Sequence, residues 1–198
     1  MKISKTGNII VISAPSGAGK TSICNAVLKD DKNAVYSISY TTRKPRLGEK
    51  DGREYFFTDT EIFKKMIKAK AFAEWAKVHE NYYGTPKSFL DKALKNGKNV
   101  ILDIDVQGGI KIKKSYPDAC MIFVMTPNLK VLKERLLARN SDSKETINTR
   151  MKNAKKEISF LSKYEYLVIN DDLKEAVNKV QTVIKSLEYK VRKDKKYF

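Results

Sequence analysis

The sequence predicts an α/β protein: a P-loop kinase type of core, with a five-stranded parallel sheet flanked by helices, a small inserted subdomain and a helical lid. Three observations predict it. Short runs of apolar, β-branched residues, the pattern of strands buried on both faces, recur along the chain. Segments of helical spacing separate them, an alternation that builds a parallel sheet covered on both sides. Residues 38–85 interrupt this alternation with a polar stretch that carries shorter strands of a different character.

Asn8-Ile9-Ile10-Val11-Ile12-Ser13 is the first buried strand, and a glycine-rich turn leads into a helix over residues 21–29. Residues 35–40 read as the second strand. Pro45, Gly48 and Gly52 punctuate the polar stretch that follows, around a short strand at Glu54-Tyr55-Phe56-Phe57. Thr58-Asp59-Thr60-Glu61 has the form of a capping box and predicts a helix to about residue 69. Residues 71–78 alternate as a strand does. Thr85-Pro86, a cap followed by proline at the first helical position, opens a helix that Gly97 closes.

Val100-Ile101-Leu102-Asp103-Ile104-Asp105 is a third strand ending in two carboxylates, and residues 120–125 are a fourth. Pro127 starts a helix to residue 138, and after a polar break at 140–143 another runs to about residue 161. Residues 166–170 form the fifth strand, and the final helix ends in a lysine-rich tail expected to fray. The result is one domain over residues 1–198. Its core comprises 1–37, 86–138 and 160–198, with an insertion at about 38–85 and a lid at about 139–159.

With 198 residues, 41% hydrophobic and 32% charged, the chain has the composition of a soluble globular protein. No run of about eighteen apolar residues is present, so no membrane partner is expected. The start of the chain lacks the apolar segment of a signal peptide. Cys24 and Cys120 lie far apart in apolar runs and read as reduced core residues, which points to a cytoplasmic protein. His79, the single histidine, has no metal partner around it in sequence. The net charge of +17 comes mostly from scattered lysines, which read as a solvated surface that attracts anions without specificity. Only seven of the 40 basic residues are arginine, and they cluster, as the bidentate recognition of phosphate requires.

Ala14-Pro15-Ser16-Gly17-Ala18-Gly19-Lys20-Thr21 follows a strand and opens a helix, the context of a phosphate-binding loop. Glycines let backbone N–H groups converge on phosphate oxygens, and the helix N-terminus adds partial positive charge. Lys20 is placed to reach the transferring phosphates, and Thr21 to offer its hydroxyl to a magnesium ion. The general pattern wants glycine where Ala14 stands.

A second set lies between residues 39 and 85. Arg43 and Arg46, with Lys44 and Pro45 between them, can converge on one phosphate, with tyrosine hydroxyls completing its oxygen shell. Taken alone, Arg-x-Pro-Arg is a weak signal that reads better as a solvated basic loop. Together with the phosphate loop, the set resembles the guanylate kinase family over nearly the whole chain, from Ile9 to about Asp172. The most specific parts are Thr41-Thr42-Arg43-Lys44-Pro45-Arg46, Glu74-Trp75, Tyr82-Tyr83-Gly84-Thr85 and Leu102-Asp103-Ile104-Asp105. That family's loop often reads Ser-Ala-Pro-Ser-Gly-x-Gly-Lys, which Ala14 matches.

The resemblance implies ATP:GMP phosphotransfer with Mg2+, and it implies roles. Ala14 to Ser22, that is Ala14, Pro15, Ser16, Gly17, Ala18, Gly19, Lys20, Thr21 and Ser22, would cradle ATP, with Arg135 near the adenine. Arg43, Arg46, Tyr55 and Tyr83 would hold the GMP phosphate, while Ser39, Glu74 and Thr85 would read the guanine. Asp103 and Asp105 would sit between the nucleotides, one of them joining Thr21 around magnesium through water. Spacing does not decide which, because residues two apart on a strand share a face. Lys20, Arg43, Asp103, Arg139 and Arg150 would be catalytic, the last two arginines carried by the lid. Where the family often shows Arg-Gly-Arg-Gly this chain has Leu137-Ala138-Arg139-Asn140, and Lys144 replaces an expected acid. On the residues alone, these arginines also fit ion pairs along a helix. Trp75 reads as core.

Three other functions are weighed against this one. A non-catalytic guanylate-kinase-like module that binds proteins would have a degraded ATP site, whereas Lys20 and Thr21 are present. A kinase acting on another phosphorylated acceptor is a matter of substrate choice. A basic nucleic-acid binder would need a recognition helix or aromatic RNA-binding motif that the sequence lacks, so no specific nucleic acid is expected. The protein is expected to be a monomer or homodimer with ATP and GMP as small-molecule substrates.

Overall fold

Five consecutive residues with no exposed side, Ile9–Ser13, form β1 at the centre of a parallel sheet. The structure, a computed structural model, describes residues 6–78, 80–138 and 143–190. His79, Arg139, Asn140 and the lysine-rich tail lie outside the described residues. The strands flanking β1 are β7 (Asn99–Asp103) and β8 (Cys120–Met125); β2 (Ala34–Tyr36) and β9 (Tyr166–Ile169) form the edges. The order is β2-β7-β1-β8-β9, all pairs parallel.

Alternation along each strand divides the core in two. Ile10, Ile12, Ile101, Ile122 and Val168 pack against Ile23 and Val27 of α1 (Lys20–Asp30) and Val177 and Val180 of α7 (Leu173–Ser186). Ile9, Val11, Val100, Leu102 and Met121 face Leu90 of α3 (Lys87–Lys95) and Ile112 of α4 (Val106–Ser115). Fully burying side chains of this size is worth about 1.5–3 kcal/mol each. Sheet and helices thus form the expected α/β core.

The expected second strand divides. β2 stops at Tyr36, and Tyr40–Thr41 (β3) belongs to a second sheet, with Ser37 still donating to Ile101 O at 3.1 Å. The chain crosses here from core to insertion. The second sheet runs β4-β3-β6-β5, with β4 (Phe56–Phe57), β5 (Phe72–Val78) and β6 (Asn81–Pro86). β5 and β6 pair antiparallel, as do β3 and β6, whereas β3 and β4 are parallel. Phe63 of α2 (Thr60–Lys68) fills its hollow side, stacked at 4.5 Å on Phe72 and 5.4 Å on Tyr82. Any Cβ at Gly84 would stand 2.8 Å from the Phe72 ring, so the aromatic packing requires glycine there.

Several helix starts differ from expectation. Asp59, rather than Thr58, caps α2, its carboxylate accepting from Ile62 N at 2.7 Å. Thr85 is no cap; it lies in β6, and α3 begins after Pro86 without a side-chain cap. The third strand ends at Asp103, and Asp105 instead caps α4, a helix the sequence reading lacks. Asn128 Oδ1 accepts from Val131 N, so α5 spans Leu129–Ala138. α6 (Lys144–Ile158) is capped by Ser143 and stops before Leu161, where a 3-10 turn begins. Trp75, expected in the core, is 38% exposed on the outer face of β5, with Lys111 Nζ 5.4 Å from its ring centroid. Cys24 and Cys120 are free and buried. Among the described residues, no helix is long and apolar enough to cross a membrane.

Candidate active site

Two cavities open side by side at the C-terminal ends of β1 and β7, where an open parallel sheet presents its ligand-binding edge. The first, about 320 Å³, is walled by the glycine-rich turn between β1 and α1 and by Asp103. The second, about 230 Å³, lies between the core and the inserted sheet. Lys20, Tyr55 and Asp103 line both. The two spaces are therefore neighbours across one lysine and one carboxylate.

The turn owes its shape to two glycines in the left-handed region, Gly17 at φ 95° and Gly19 at φ 91°. Ala14, Pro15, Ser16, Thr21 and Ser22 line the first cavity with them. Ala18 is buried beneath, its carbonyl accepting from Asn170 Nδ2 at 2.7 Å. Lys20 Nζ is held 2.6 Å from Asp103 Oδ1 and donates to Ile104 O at 3.1 Å. Burial works against its charge, but Asp103 outweighs burial and holds the ammonium above its ordinary pKa. Thr21 Oγ1 donates to the other oxygen of Asp103 at 3.2 Å.

In the second cavity, Ser39, Glu74, Tyr83 and Asp105 line the walls with Tyr55 and Gly108. Glu74 is buried at the floor. Thr85 Oγ1 donates to its Oε1 at 2.6 Å, and the α4 backbone at Gly108 approaches its Oε2 so closely that a Cβ would stand at 3.1 Å. Burial pushes the Glu74 carboxyl up to about 7; the Thr85 hydrogen bond opposes this and nearby Asp105 adds to it. Asp105 is not a strand residue beside Asp103. Its Oδ1 accepts from Gly108 N at 2.8 Å, which fixes it as the cap of α4 on the Glu74 side.

Arg43 lines neither cavity; its side chain is 15% exposed, and its guanidinium carbon lies 5.4 Å from the ring centroid of Tyr55, which lines both. The Tyr55 and Tyr83 rings meet edge-on at 5.8 Å. The Arg46 side chain is exposed and, like Arg43, lines neither cavity; its main-chain N–H donates to Glu49 Oε2 at 2.7 Å and its carbonyl accepts from the Glu49 N–H at 3.0 Å. Arg135 Nη2 donates to Asp171 O at 3.1 Å, beside Asn170. Arg150 is half-buried on α6, three and four residues from buried Ile147 and Ala154 and so on the face turned to the core.

The sequence reading passed over four residues here. Asn170 supports the glycine turn from below. Glu157, near the end of α6, lines the first cavity, where burial pushes its carboxyl up to about 7 against the pull of Lys20. Gly108 borders Glu74, and Glu49 binds Arg43. For Asn170, the Val-Ile-Asn run at the end of an apolar strand was an available signal; the other three lack a local pattern.

A glycine turn between strand and helix, a lysine shared by two cavities and a five-stranded parallel sheet define a P-loop phosphotransferase architecture. A family model described as guanylate kinase matches residues 6–187. The chain is 47% identical over 195 residues to the guanylate kinase of Caldanaerobacter subterraneus subsp. tengcongensis, covering 98% of this chain and 95% of that protein. It is 48% identical over 178 residues to that of Clostridium perfringens strain 13, covering 90% and 82%. It superposes on the crystal structure of guanylate kinase from Anaplasma phagocytophilum with a TM-score of 0.80 at 31% identity, covering 94% and 89%. The chain belongs to the guanylate kinase family.

Proposed function

We propose that this protein transfers the γ-phosphoryl group of ATP to GMP, yielding ADP and GDP. The observation that carries this reading is the shared wall: one cavity suited to phosphates and one suited to a purine meet across Lys20 and Asp103. A phosphoryl group passing from one to the other would travel past the lysine, with little covalent chemistry asked of the protein.

In this reading the turn from Ala14 to Ser22 cradles the ATP phosphates, and Asp103 keeps Lys20 extended toward them. Thr21 Oγ1 and an Asp103 oxygen, 3.2 Å apart, are hard donors of the kind Mg2+ prefers. Among the described residues no group of three or more His, Cys, Asp or Glu could hold a metal ion. Phosphate and water would therefore supply most of the ligands, as magnesium usually requires. When bound, magnesium supplies charge neutralisation across the transferring phosphates. Glu74 accepts from the N1–H and amino edge of guanine, which adenine cannot offer, while Thr85 and Ser39 flank the base. Arg43, Tyr55 and Tyr83 take the GMP phosphate, whose oxygen is already charged and needs no strong base. Arg46, exposed on the same loop, would join them.

Residues 38–85 act as the acceptor-binding insertion, and 139–159 as a lid that brings Arg139 and Arg150 onto the phosphates and excludes water. Free, buried Cys24 and Cys120 support a cytoplasmic location. The intact Lys20–Asp103–Thr21 arrangement disfavours a purely protein-binding module. Incubation with Mg-ATP and a panel of nucleoside monophosphates and sugar phosphates tests the reading. GDP and ADP should form in equal amounts from GMP; turnover of another acceptor in preference to GMP, or of none, refutes it.

A further inference from the structure

The loop that carries Arg43 also carries a carboxylate, Glu49. Glu49 Oε1 lies 2.9 Å from Arg43 Nη2, and its Oε2 accepts from the main-chain N–H of Arg46 at 2.7 Å. The Glu49 N–H in turn donates to Arg46 O at 3.0 Å, and Arg43 Nη1 donates to Lys44 O at 2.8 Å. One carboxylate thus ties the arginine side chain to the backbone of its own loop, and its hydrogen bond with Arg43 holds it below the ordinary Glu range. The guanidinium, held at both terminal nitrogens, lies over Tyr55 at 5.4 Å and Phe57 at 5.9 Å.

Arginine has five N–H donors in a fixed fork, so two bonds to the loop leave others for a ligand. A long side chain that must be ordered at the moment of binding loses affinity to that ordering. We infer that Glu49 is a positioning residue, which pre-sets the Arg43 guanidinium over Tyr55, a wall of the second cavity, for the acceptor phosphate. The inference rests on the reading that Arg43 binds the acceptor phosphate.

Two effects of Glu49 oppose each other. Its negative charge repels an incoming phosphate, while its hydrogen bonds organise the cation that attracts it. The Glu49 side chain is 18% exposed and borders the exposed loop from Lys44 to Gly48, so water and salt reach it. Repulsion there is weakened by water and salt, whereas lost geometry is not. Organisation should win.

The test is steady-state kinetics of the full chain with GMP and ATP varied separately, for E49A, E49Q, R43A and the double variant R43A/E49A. Losing charge-assisted hydrogen bonds should raise KM for GMP about tenfold to hundredfold in E49A, with KM for ATP and the thermal midpoint little changed. E49Q, whose single acceptor oxygen can keep the Arg46 contact but not both, should fall between. In the R43A background the Glu49 substitution should add almost nothing. If KM for GMP stays constant or falls in E49A while R43A raises it, or if KM for both substrates rises together, Glu49 does not position Arg43. If R43A itself leaves KM for GMP unchanged, the acceptor-site reading fails and the inference falls with it.

Discussion

Lys20 and Asp103 stand 2.6 Å apart on the wall common to both cavities, and the second oxygen of Asp103 receives the Thr21 hydroxyl. The lysine side chain is 21% exposed and the aspartate 11%, so neither charge is fully hydrated. Without phosphates, each satisfies the other; with them, Asp103 can release Lys20 only by finding another partner, such as a hydrated cation. This couples the two functions of the site.

Lys20→Ala should lower kcat by about a thousandfold or more, since it removes a preorganised charge at the transferring group. It also leaves Asp103 without its cation, so a modest loss of stability should accompany it. Circular dichroism separates the two effects. A folded variant that retains substantial turnover would remove Lys20 from the phosphate cradle.

Glu74 makes acceptor binding depend on pH. Its carboxyl is pushed up to about 7 by burial, and reading guanine requires the carboxylate. KM for GMP should therefore fall as pH rises through about 7 and level off above it. Glu74→Gln should raise KM for GMP far more than KM for ATP and remove that slope. The effect on stability has the opposite sense. The folded pKa lies above the ordinary 4.5, so between these values the folded state holds more protons than the unfolded chain. This contribution is complete below the ordinary pKa and is lost as pH rises through about 7. Glu157, raised in the same direction, acts with the same sign. The thermal midpoint of the parent should fall as pH rises over this range, and that of Glu74→Gln should fall less.

Gly108 offers a way to disturb Glu74 without touching it. A Cβ at this position would stand 3.1 Å from Glu74 Oε2 and 3.3 Å from Asp105 Oδ1. The residue lies inside α4 with ordinary helical backbone, where alanine is favoured over glycine by up to about 1 kcal/mol. Gly108→Ala should keep or raise the thermal midpoint while raising KM for GMP several-fold and sparing KM for ATP. A variant that binds GMP as well as the parent would show that the Glu74 carboxylate tolerates displacement.

What the sequence revealed divides along local and non-local causes. β1, β7 and β8 were legible because each is a run of apolar residues buried on both faces, β9 because its apolar run is continuous although it is a half-exposed edge strand, and the glycine turn because its chemistry is contiguous. The break between Tyr36 and Tyr40 was hidden: apolar and polar residues alternate straight through it, and only the change of pairing partner from β7 to β4 and β6 ends the strand. α4 was hidden by Gly108 and Gly109, whose small size serves contacts with Glu74, Tyr164 and Val11 rather than helix propensity. That also misplaced Asp105, which spacing put on a strand and the structure makes a cap. Thr85 looked like a cap because Pro86 follows it, but its hydroxyl answers to Glu74, eleven residues away. Arg43 and Arg46 looked alike in sequence; Glu49 distinguishes them by binding the side chain of one and the backbone of the other.

Asn170 tests how far the phosphate loop depends on a support outside itself. It is 3% exposed, and its Nδ2 donates to Ala18 O at 2.7 Å while its own N–H donates to Met125 O. Asn170→Ala leaves the Ala18 carbonyl without its partner, a cost of about 1–3 kcal/mol. At this chain length each kcal/mol lowers the thermal midpoint by about 2–4 °C. KM for ATP should rise with it, because the carbonyl belongs to the turn that shapes the first cavity. Gly19→Ala should be worse. Its φ of 91° disfavours any side chain, and the new Cβ would stand 2.3 Å from Asn170 Nδ2. The double variant Asn170→Ala/Gly19→Ala removes the collision but retains the backbone strain. Its stability should therefore exceed that expected by adding the two single losses. Strict additivity, measured by denaturant unfolding, would mean that Asn170 and Gly19 do not meet, and that the turn holds its shape without the asparagine.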